Sequence, residues 1–418
     1  MAEQLHRIHE AEPVASGPSL RAFLSLGFRP LYIAGCAWAL VSIALWIFAP
    51  QAIPGPLAGV AWHAHEMLWG FIATIAVAFL LTAAATWTGH NPLKGTPLAI
   101  LAILWALARI GYLVGGMTAF TVACLAESAF FLIAAVALMR VMLKGKSRRN
   151  YGLPLLMLGL GVANGLYLNA ALAGDYPALM QRFDLGLICM AIIALLIARR
   201  VIPFFAMRAI AGLQIPMLTR SGHVQLTLGT LAIVLEIANL PALSAVALAL
   251  VGLIALGQVV AWRPQAVLHR PILWVLYVGY ALMGIGLLLA AAHEAQLLPA
   301  VAGRAAVHVH VIAMGGFSVL IIGMVTRTAL GHLGRPLALD RSMVLSYWLV
   351  LVAVALRLAA LWPSGATLTL LHLAASAWIL AFALYLWRFV PMLIRPRPDA
   401  IQAPSAVAVK ATIQARQS

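Results

Sequence analysis

Unbroken apolar runs of roughly twenty residues are the feature that most limits what this chain can fold into. They recur along nearly all of its 418 residues without any strand-like alternation of apolar and polar positions. Lipid offers the backbone no hydrogen bonds, so runs of this length cross a membrane as α-helices. Only 9% of the residues are charged, against about a quarter in soluble domains. The sequence therefore predicts an all-α polytopic membrane protein.

The apolar runs predict about twelve transmembrane helices in a single domain, residues 26–395, because no change of composition divides the chain. The flanking segments 1–25 and 396–418 are polar or rich in Pro, Ala and Gln, and we expect both to be disordered cytoplasmic tails. The predicted spans are 28–49, 63–87, 98–116, 119–142, 152–173, 179–199, 224–240, 242–261, 272–292, 305–326, 342–362 and 366–390.

The basic residues predict the orientation of these spans. With the N-terminus in the cytoplasm, 23 of the 27 Lys and Arg residues fall in cytoplasmic segments, as the positive-inside rule requires. Both termini are then cytoplasmic, and the number of spans is even. The net charge of +16 is explained by this topology, so we expect a lipid bilayer and no nucleic acid as the partner.

Two His-x-His pairs stand at the heads of apolar runs, His63-Ala64-His65 and His308-Val309-His310. Residues two apart on a helix point about 200° away from each other. The two histidines of a pair therefore cannot easily share one small ion, but each can hold a different group. The ordinary alternative is that they are buried histidines hydrogen-bonded to neighbouring helices, although polar side chains inside membranes are costly and usually functional.

The predicted topology places these histidines and His372 in one layer near the outer side of the membrane. Buried charges fall at the same level, and such charges face a protein interior or a water-filled cavity. They are Glu66, Arg109, Glu127, Asp184, Glu236 and Arg357. The two arginines could pair with Glu127, Asp184 or Glu236. Glu66, Glu127 and Glu236 are candidates for a proton relay.

Neutral imidazole is a common ligand of haem iron and transition metals. Haem is a flat apolar disc whose propionates suit buried arginine, and the chain has no CxxCH motif for a covalent c-type haem. A haem b held by histidines from two helices is the natural prediction, with one or two haems per chain. Copper is the next candidate, because imidazole also suits it.

Several separated motifs resemble the NnrS family, in order and over residues 28–398. They are Trp-His-Ala-His-Glu-Met at 62–67, Trp-Thr-Gly at 87–89, Arg-Val-Ile-Pro-Phe-Phe at 200–205 and Thr-Arg-Thr-Ala-Leu-Gly-His-Leu-Gly-Arg-Pro at 326–336. The resemblance implies a bacterial inner-membrane protein of about twelve helices that contains haem and copper. It also implies a link to nitric-oxide stress and denitrification.

Residues 308–316, His-Val-His-Val-Ile-Ala-Met-Gly-Gly, are similar to the tenth helix of haem–copper oxidases and nitric-oxide reductases. This similarity implies a haem–copper-oxidase-like bundle in which His308 holds a catalytic haem. His65 and His310 would then hold a second haem, with Arg109 or Arg357 at the propionates.

The chain departs from those enzymes because it has neither adjacent histidines nor a His-Pro-Glu-Val-Tyr motif. A copper site would have to be built differently, from His63, His372 or His332.

These observations together predict a membrane haem protein of the nitric-oxide response. It would bind nitric oxide or a similar diatomic gas and reduce it, with electrons from quinol or another membrane donor. One alternative is a non-enzymatic haem sensor or scavenger of nitric oxide. Another is a small-solute transporter whose buried charges line the path, although the repeated halves that many transporters show are not apparent in the sequence.

Overall fold

The computed structural model describes residues 17–298 and 300–398, and this part of the chain contains helices and no strand. Residues 1–16 and 399–418 of the predicted tails lie outside the described residues. The twelve long helices, numbered in chain order, are α1 Phe28–Phe48, α2 Gly59–Thr88, α3 Thr96–Val114, α4 Met117–Lys144, α5 Gly152–Ala173, α6 Tyr176–Ala209, α7 Thr219–Ile237, α8 Pro241–Ala261, α9 Pro271–Glu294, α10 Ala305–His332, α11 Arg341–Ala359 and α12 Thr367–Leu393.

Each predicted span corresponds to one of these helices. Within the described residues, 11 of them are long and apolar enough to cross a membrane. The remaining one, α7, is a helix of 19 residues whose first turns carry polar side chains such as Arg220 and His223. The prediction of an all-α, multi-pass membrane protein is confirmed.

The helices alternate in direction, so the bundle has two distinct ends. The histidine end, where α2 and α10 begin, carries His63, His65, His308 and His310. The basic end, where these two helices finish, carries Arg29 and the described chain ends.

Residues 17–25, predicted as part of a disordered tail, include the short helix Leu20–Phe23. The Ser19 N–H donates to the Ile394 carbonyl at 2.8 Å. Arg29 Nη1 donates to the Leu393 carbonyl, also at 2.8 Å. The two described chain ends therefore lie together at the basic end, and the folded part begins before the predicted boundary at residue 26.

Helices α2, α6 and α10 form the centre of the bundle. In their most apolar stretches, 89%, 78% and 72% of the residues are buried, against 33% in each of α3, α11 and α12. A helix that is apolar all round is buried in a core or faces lipid. The central helices are therefore buried in the core, and the outer helices face lipid. The candidate functional residues on α2 and α10 lie inside the protein.

A widened helical turn follows each His-x-His pair. Residues Glu66–Ala73 of α2 and Val311–Ser318 of α10 are π-helical, and the two segments pack against each other. Such turns are rare and frequently mark functional sites. The sequence analysis did not predict them.

Candidate functional site

The two His-x-His pairs send their side chains to opposite faces, as the helical period predicts. His63 of α2 and His310 of α10 face each other, with ring centres 6.4 Å apart and ring planes inclined by 21°. His65 and His308 point away from this pair, into two different surroundings. The structure therefore brings His63 and His310 together, and not His65 and His310.

The spacing of His63 and His310 fits two ligands of one haem iron. A metal–imidazole bond is ~2 Å long, so two imidazoles at this separation would have room to hold one iron ion between them. His310 Nδ1 donates to the Ala306 carbonyl at 2.6 Å, which leaves Nε2 free in the manner of a metal-bound histidine. Within the described residues neither nitrogen of His63 is hydrogen-bonded, and the His63 ring stacks on Trp46 at 5.2 Å.

These two histidines line an apolar cavity of about 230 Å³ between α1, α2, α6, α10, α11 and α12. Small side chains on several of these helices keep the space open, and aromatic side chains form its walls. The small residues are Ala64, Ala305, Ala306, Ala313, Ala374 and Ala375, and the aromatic ones include Trp46, Phe71, Phe183 and Trp378. A flat apolar group bound through its centre suits this space.

Arg357 of α11 also lines the apolar cavity. In the part of the chain that the structure describes, it forms no ion pair with a carboxylate. An unpaired guanidinium beside two imidazoles fits a propionate, because its planar donors match a carboxylate. Of the two arginines predicted for this role, Arg357 is the one that lines this cavity.

The other arginine, Arg109 of α3, belongs to a buried charge cluster. Its Nη1 donates to Glu66 Oε2 at 2.6 Å, and its Nη2 donates to Glu127 Oε1. Trp38 Nε1 also donates to Glu66 Oε2, at 2.5 Å, and the Tyr112 hydroxyl donates to Glu127 at 2.9 Å. The propionate contact of Arg109 stays a prediction; in this fold two carboxylates already pair with its guanidinium.

His65 completes this charge cluster. Its Nδ1 lies 2.8 Å from Glu66 Oε1, and its Nε2 lies 3.1 Å from Glu127 Oε2 and 2.9 Å from Asn164 Oδ1. Both ring nitrogens face acceptor oxygens, and both can donate only in the imidazolium form. The imidazolium of His65 and the guanidinium of Arg109 then balance the carboxylates of Glu66 and Glu127. His65 as a haem ligand stays a prediction; in this structure neither ring nitrogen is free and the ring faces away from the apolar cavity.

The side chain of His308 points into a second cavity, which is acidic and has a volume of about 440 Å³. Its ring lies 4.7 Å from that of His293, and its buried Nδ1 has no hydrogen-bond partner among the described residues. Three carboxylates, Asp184, Glu236 and Glu294, line the same cavity, and no described Lys or Arg does so. This lining offers the propionates of a haem carboxylates and no cation. It therefore does not favour the second haem on His308, which stays a prediction.

The three histidines predicted for copper lie apart. His372 of α12 packs against Phe48, with ring centres 5.4 Å apart, and His332 packs against Phe28 at the basic end, at 5.6 Å. His63 lines the apolar cavity instead. A copper site made of these three residues is not formed. Over residues 17–298 and 300–398, no three His, Cys, Asp or Glu side chains converge on one point in this conformation.

Sequence reasoning missed His293 and Glu294, which end α9 beside His308. The sequence contained a signal for them, because the predicted topology puts the end of the ninth span in the same membrane layer as the other histidines. Of the three relay candidates, Glu66 and Glu127 lie in the charge cluster and Glu236 in the acidic cavity.

No curated protein matches the chain. A family model described as NnrS protein matches residues 22–397, which is nearly the whole chain. Membership of this family suggests a membrane protein of the nitric-oxide response. This multi-pass chain, with histidines meeting between its second and tenth helices, belongs to the NnrS family.

Proposed function

We propose that the protein is a haem-containing membrane oxidoreductase that binds and reduces nitric oxide with electrons from the membrane quinol pool. The observation that carries this proposal is the pair His63 and His310, which face each other across an apolar cavity at 6.4 Å between ring centres. Family membership supplies the link to nitric oxide.

His63 and His310 would hold a haem b, and Arg357 would bind one of its propionates. When bound, the haem supplies one-electron redox chemistry. The chain itself orients the ligands: the Ala306 carbonyl fixes the tautomer of His310, and Trp46 holds the plane of His63. The apolar walls exclude water, which strengthens the attraction between Arg357 and a carboxylate.

The acidic cavity would supply protons to this reaction. Reduction of two nitric oxide molecules to nitrous oxide and water takes up two electrons and two protons, and one quinol supplies both. Glu236 and Glu294 face each other in this cavity, so one proton between them relieves their repulsion. They would hold a proton and pass it on, with His308 beside them in the same cavity.

The charge cluster around Arg109 does not favour a transporter. A permeation path needs charged groups that face a continuous cavity. Glu66, Arg109 and Glu127 instead satisfy one another in a closed cluster.

The proposed location is the bacterial inner membrane, with the basic end in the cytoplasm. The described chain ends lie at that end, where basic residues concentrate as the positive-inside rule expects. Reporter fusions to the C-terminus test this orientation. A reporter that is active only in the cytoplasm should work, and strong alkaline phosphatase activity would contradict the placement.

The experiment for the function uses the full chain, purified with haem supplied and reconstituted in vesicles with a short-chain quinol. We expect nitric oxide to disappear at an electrode and nitrous oxide to appear in a one-to-two ratio to it. His310→Ala should abolish turnover, whereas His372→Ala, on the neighbouring helix but outside the cavity lining, should retain it. Bound nitric oxide without turnover would contradict the enzyme and favour a sensor or scavenger. Protein that binds no haem would overturn the whole proposal.

A further inference from the structure

A third cavity, the side cavity, lies between α1, α2, α6, α9 and α10 and has a volume of about 70 Å³. It is lined by residues 72–79 of α2 and 317–324 of α10, so it begins along these two helices where the apolar cavity ends. Its lining consists of Ala, Leu, Ile, Met and Phe side chains together with Tyr32.

The side cavity offers little to a water molecule. A buried water makes about two to four hydrogen bonds. In the part of the chain that the structure describes, Tyr32 is the only lining residue with a polar side chain. Its hydroxyl is buried and has no hydrogen-bond partner among these residues. One hydroxyl does not hold a water, so the cavity suits an apolar occupant.

The volume of the side cavity selects a small occupant. An apolar cavity that takes benzene measures about 150 Å³, so a space of about 70 Å³ is too small for the ring of a quinol. A diatomic gas is similar in size to a water molecule, whose share of liquid volume is about 30 Å³. The side cavity therefore fits a diatomic gas.

A thin wall separates the side cavity from the apolar cavity. Ile72 of α2 lines both cavities and is only 2% exposed. On α10, Phe317 lines the side cavity and its neighbour Ser318 lines the apolar cavity. Side chains in protein interiors change rotamer even where packing is dense. A change of rotamer at Ile72 is enough to let a diatomic molecule pass.

The other side of the side cavity reaches the surface of the bundle. Phe79, Ala194, Ile197 and Met324 line it and are only half-buried, although they belong to the central helices α2, α6 and α10. They lie within the spans, so this opening faces acyl chains. An uncharged gas such as nitric oxide favours hydrocarbon over water, and lipid is therefore its source at this opening.

We propose that the side cavity is a docking site for a diatomic gas, and that nitric oxide passes through it from the lipid to the apolar cavity, past Ile72. This inference rests on the proposed function for the identity of the gas. Protons and gas then approach from different sides, because the acidic cavity adjoins the histidine end and the side cavity opens to lipid.

Xenon tests the docking site without regard to haem or turnover, because dry apolar cavities bind it. Crystals of the full chain, pressurised with xenon, should show one xenon atom in the side cavity. Ala194→Phe places a ring in this space and should exclude xenon. No xenon in the wild type, or an acyl or quinol tail in its place, would overturn the docking site.

The route is tested by flash photolysis of nitric oxide bound to the reduced, haem-loaded full chain. Ala194→Phe should slow rebinding from solution by about tenfold, which corresponds to a barrier higher by about 1.4 kcal/mol. Ile72→Ala removes the wall and should speed rebinding. The matched control is Ala209→Phe, the same change at a half-buried alanine that ends α6 outside the cavity lining, and it should leave the rate unchanged.

Equal rates in the wild type and Ala194→Phe would overturn the route, as would equal slowing by Ala209→Phe. Turnover separates this inference from the proposed function. Reduction of nitric oxide with an unchanged kcat/KM in Ala194→Phe contradicts only the route. Rebinding that Ala194→Phe slows, in a protein that does not reduce nitric oxide, contradicts only the enzyme. Absent haem contradicts the proposed function, and the xenon measurement then decides the docking site by itself.

Discussion

The apolar and acidic cavities take their histidines from the same stretch of α10, yet they differ in almost every other respect. His310 enters a space walled by alanines and aromatic rings, with one unpaired arginine. His308 enters a space with three carboxylates and a second imidazole, and no described Lys or Arg lines it. The residue type alone therefore does not decide what a membrane histidine binds. The charge and size of the neighbouring side chains decide it.

The charge cluster around Arg109 is a third environment and sharpens this comparison. There Arg109 contacts both Glu66 and Glu127, and both ring nitrogens of His65 contact the same two carboxylates. We infer that this cluster stabilises the fold, whereas the two cavities serve the proposed reaction. The following changes separate these roles, from the largest expected effect to the smallest.

Replacement of either facing histidine should remove the haem. His63→Gly or His310→Gly removes one of the two imidazoles that would hold the haem and leaves a hole of imidazole size. We expect haem content to fall by about tenfold or more, measured from the Soret band at equal amounts of folded protein. Added imidazole should restore the band. His308→Ala should keep its haem, and equal loss in all three variants would contradict the separation of the cavities.

Removal of the cation at the centre of the charge cluster should destabilise the fold. Arg109→Met leaves Glu66 and Glu127 buried with only His65 to offset them. Breaking a buried ion pair from one side costs about 3–5 kcal/mol, so the free energy of unfolding should fall by that amount in detergent. The haem bound per folded chain should stay constant. Loss of haem without loss of stability would place Arg109 at the cofactor after all.

Arg357 should affect haem affinity more than stability. Arg357→Gln removes the cation proposed for a propionate, a loss of about 2 kcal/mol, or roughly thirtyfold in haem affinity. Arg357→Lys keeps the charge and should recover part of this loss. Arg304→Gln is the control, because Arg304 lies nearby at the Leu361 carbonyl and outside the cavity lining. Equal effects of the Arg357 and Arg304 changes would contradict the assignment.

Neutralising a carboxylate in the acidic cavity should have the smallest effect, and of opposite sign to that of Arg109→Met. Glu294→Gln relieves the repulsion between Glu294 and Glu236. The free energy of unfolding should rise by up to ~1 kcal/mol, with unchanged haem content. A marked loss of stability would mean that Glu294 has a cationic partner in solution.

Much of this architecture follows from two periodic properties of the sequence. The length of the apolar runs predicts the helices, and 3.6 residues per turn predicts that the members of each His-x-His pair separate. Neither property fixes how far α2 is rotated about its own axis. That rotation decides whether His63 or His65 faces α10; the prediction named His65, whereas His63 faces His310 in the structure.

Packing sets this rotation through contacts that are distant in sequence. Gly70 lies in the widened turn of α2, and a Cβ there would come within 2.4 Å of Arg109 Nη1 and 2.6 Å of Glu66 Oε2. The glycine lets the charge cluster approach the α2 backbone, which directs His65 toward Arg109 and His63 toward α10. A glycine in an apolar run gives no sign of such a partner.

The account depends most directly on which histidine of α2 binds the haem. Low-temperature electron paramagnetic resonance of the oxidised protein, compared between His63→Ala and His65→Ala at matched protein concentration, tests this point. We predict that the low-spin signal of a haem with two histidine ligands disappears in His63→Ala and persists in His65→Ala, even though the latter is less stable. Persistence in His63→Ala with loss in His65→Ala would contradict the account.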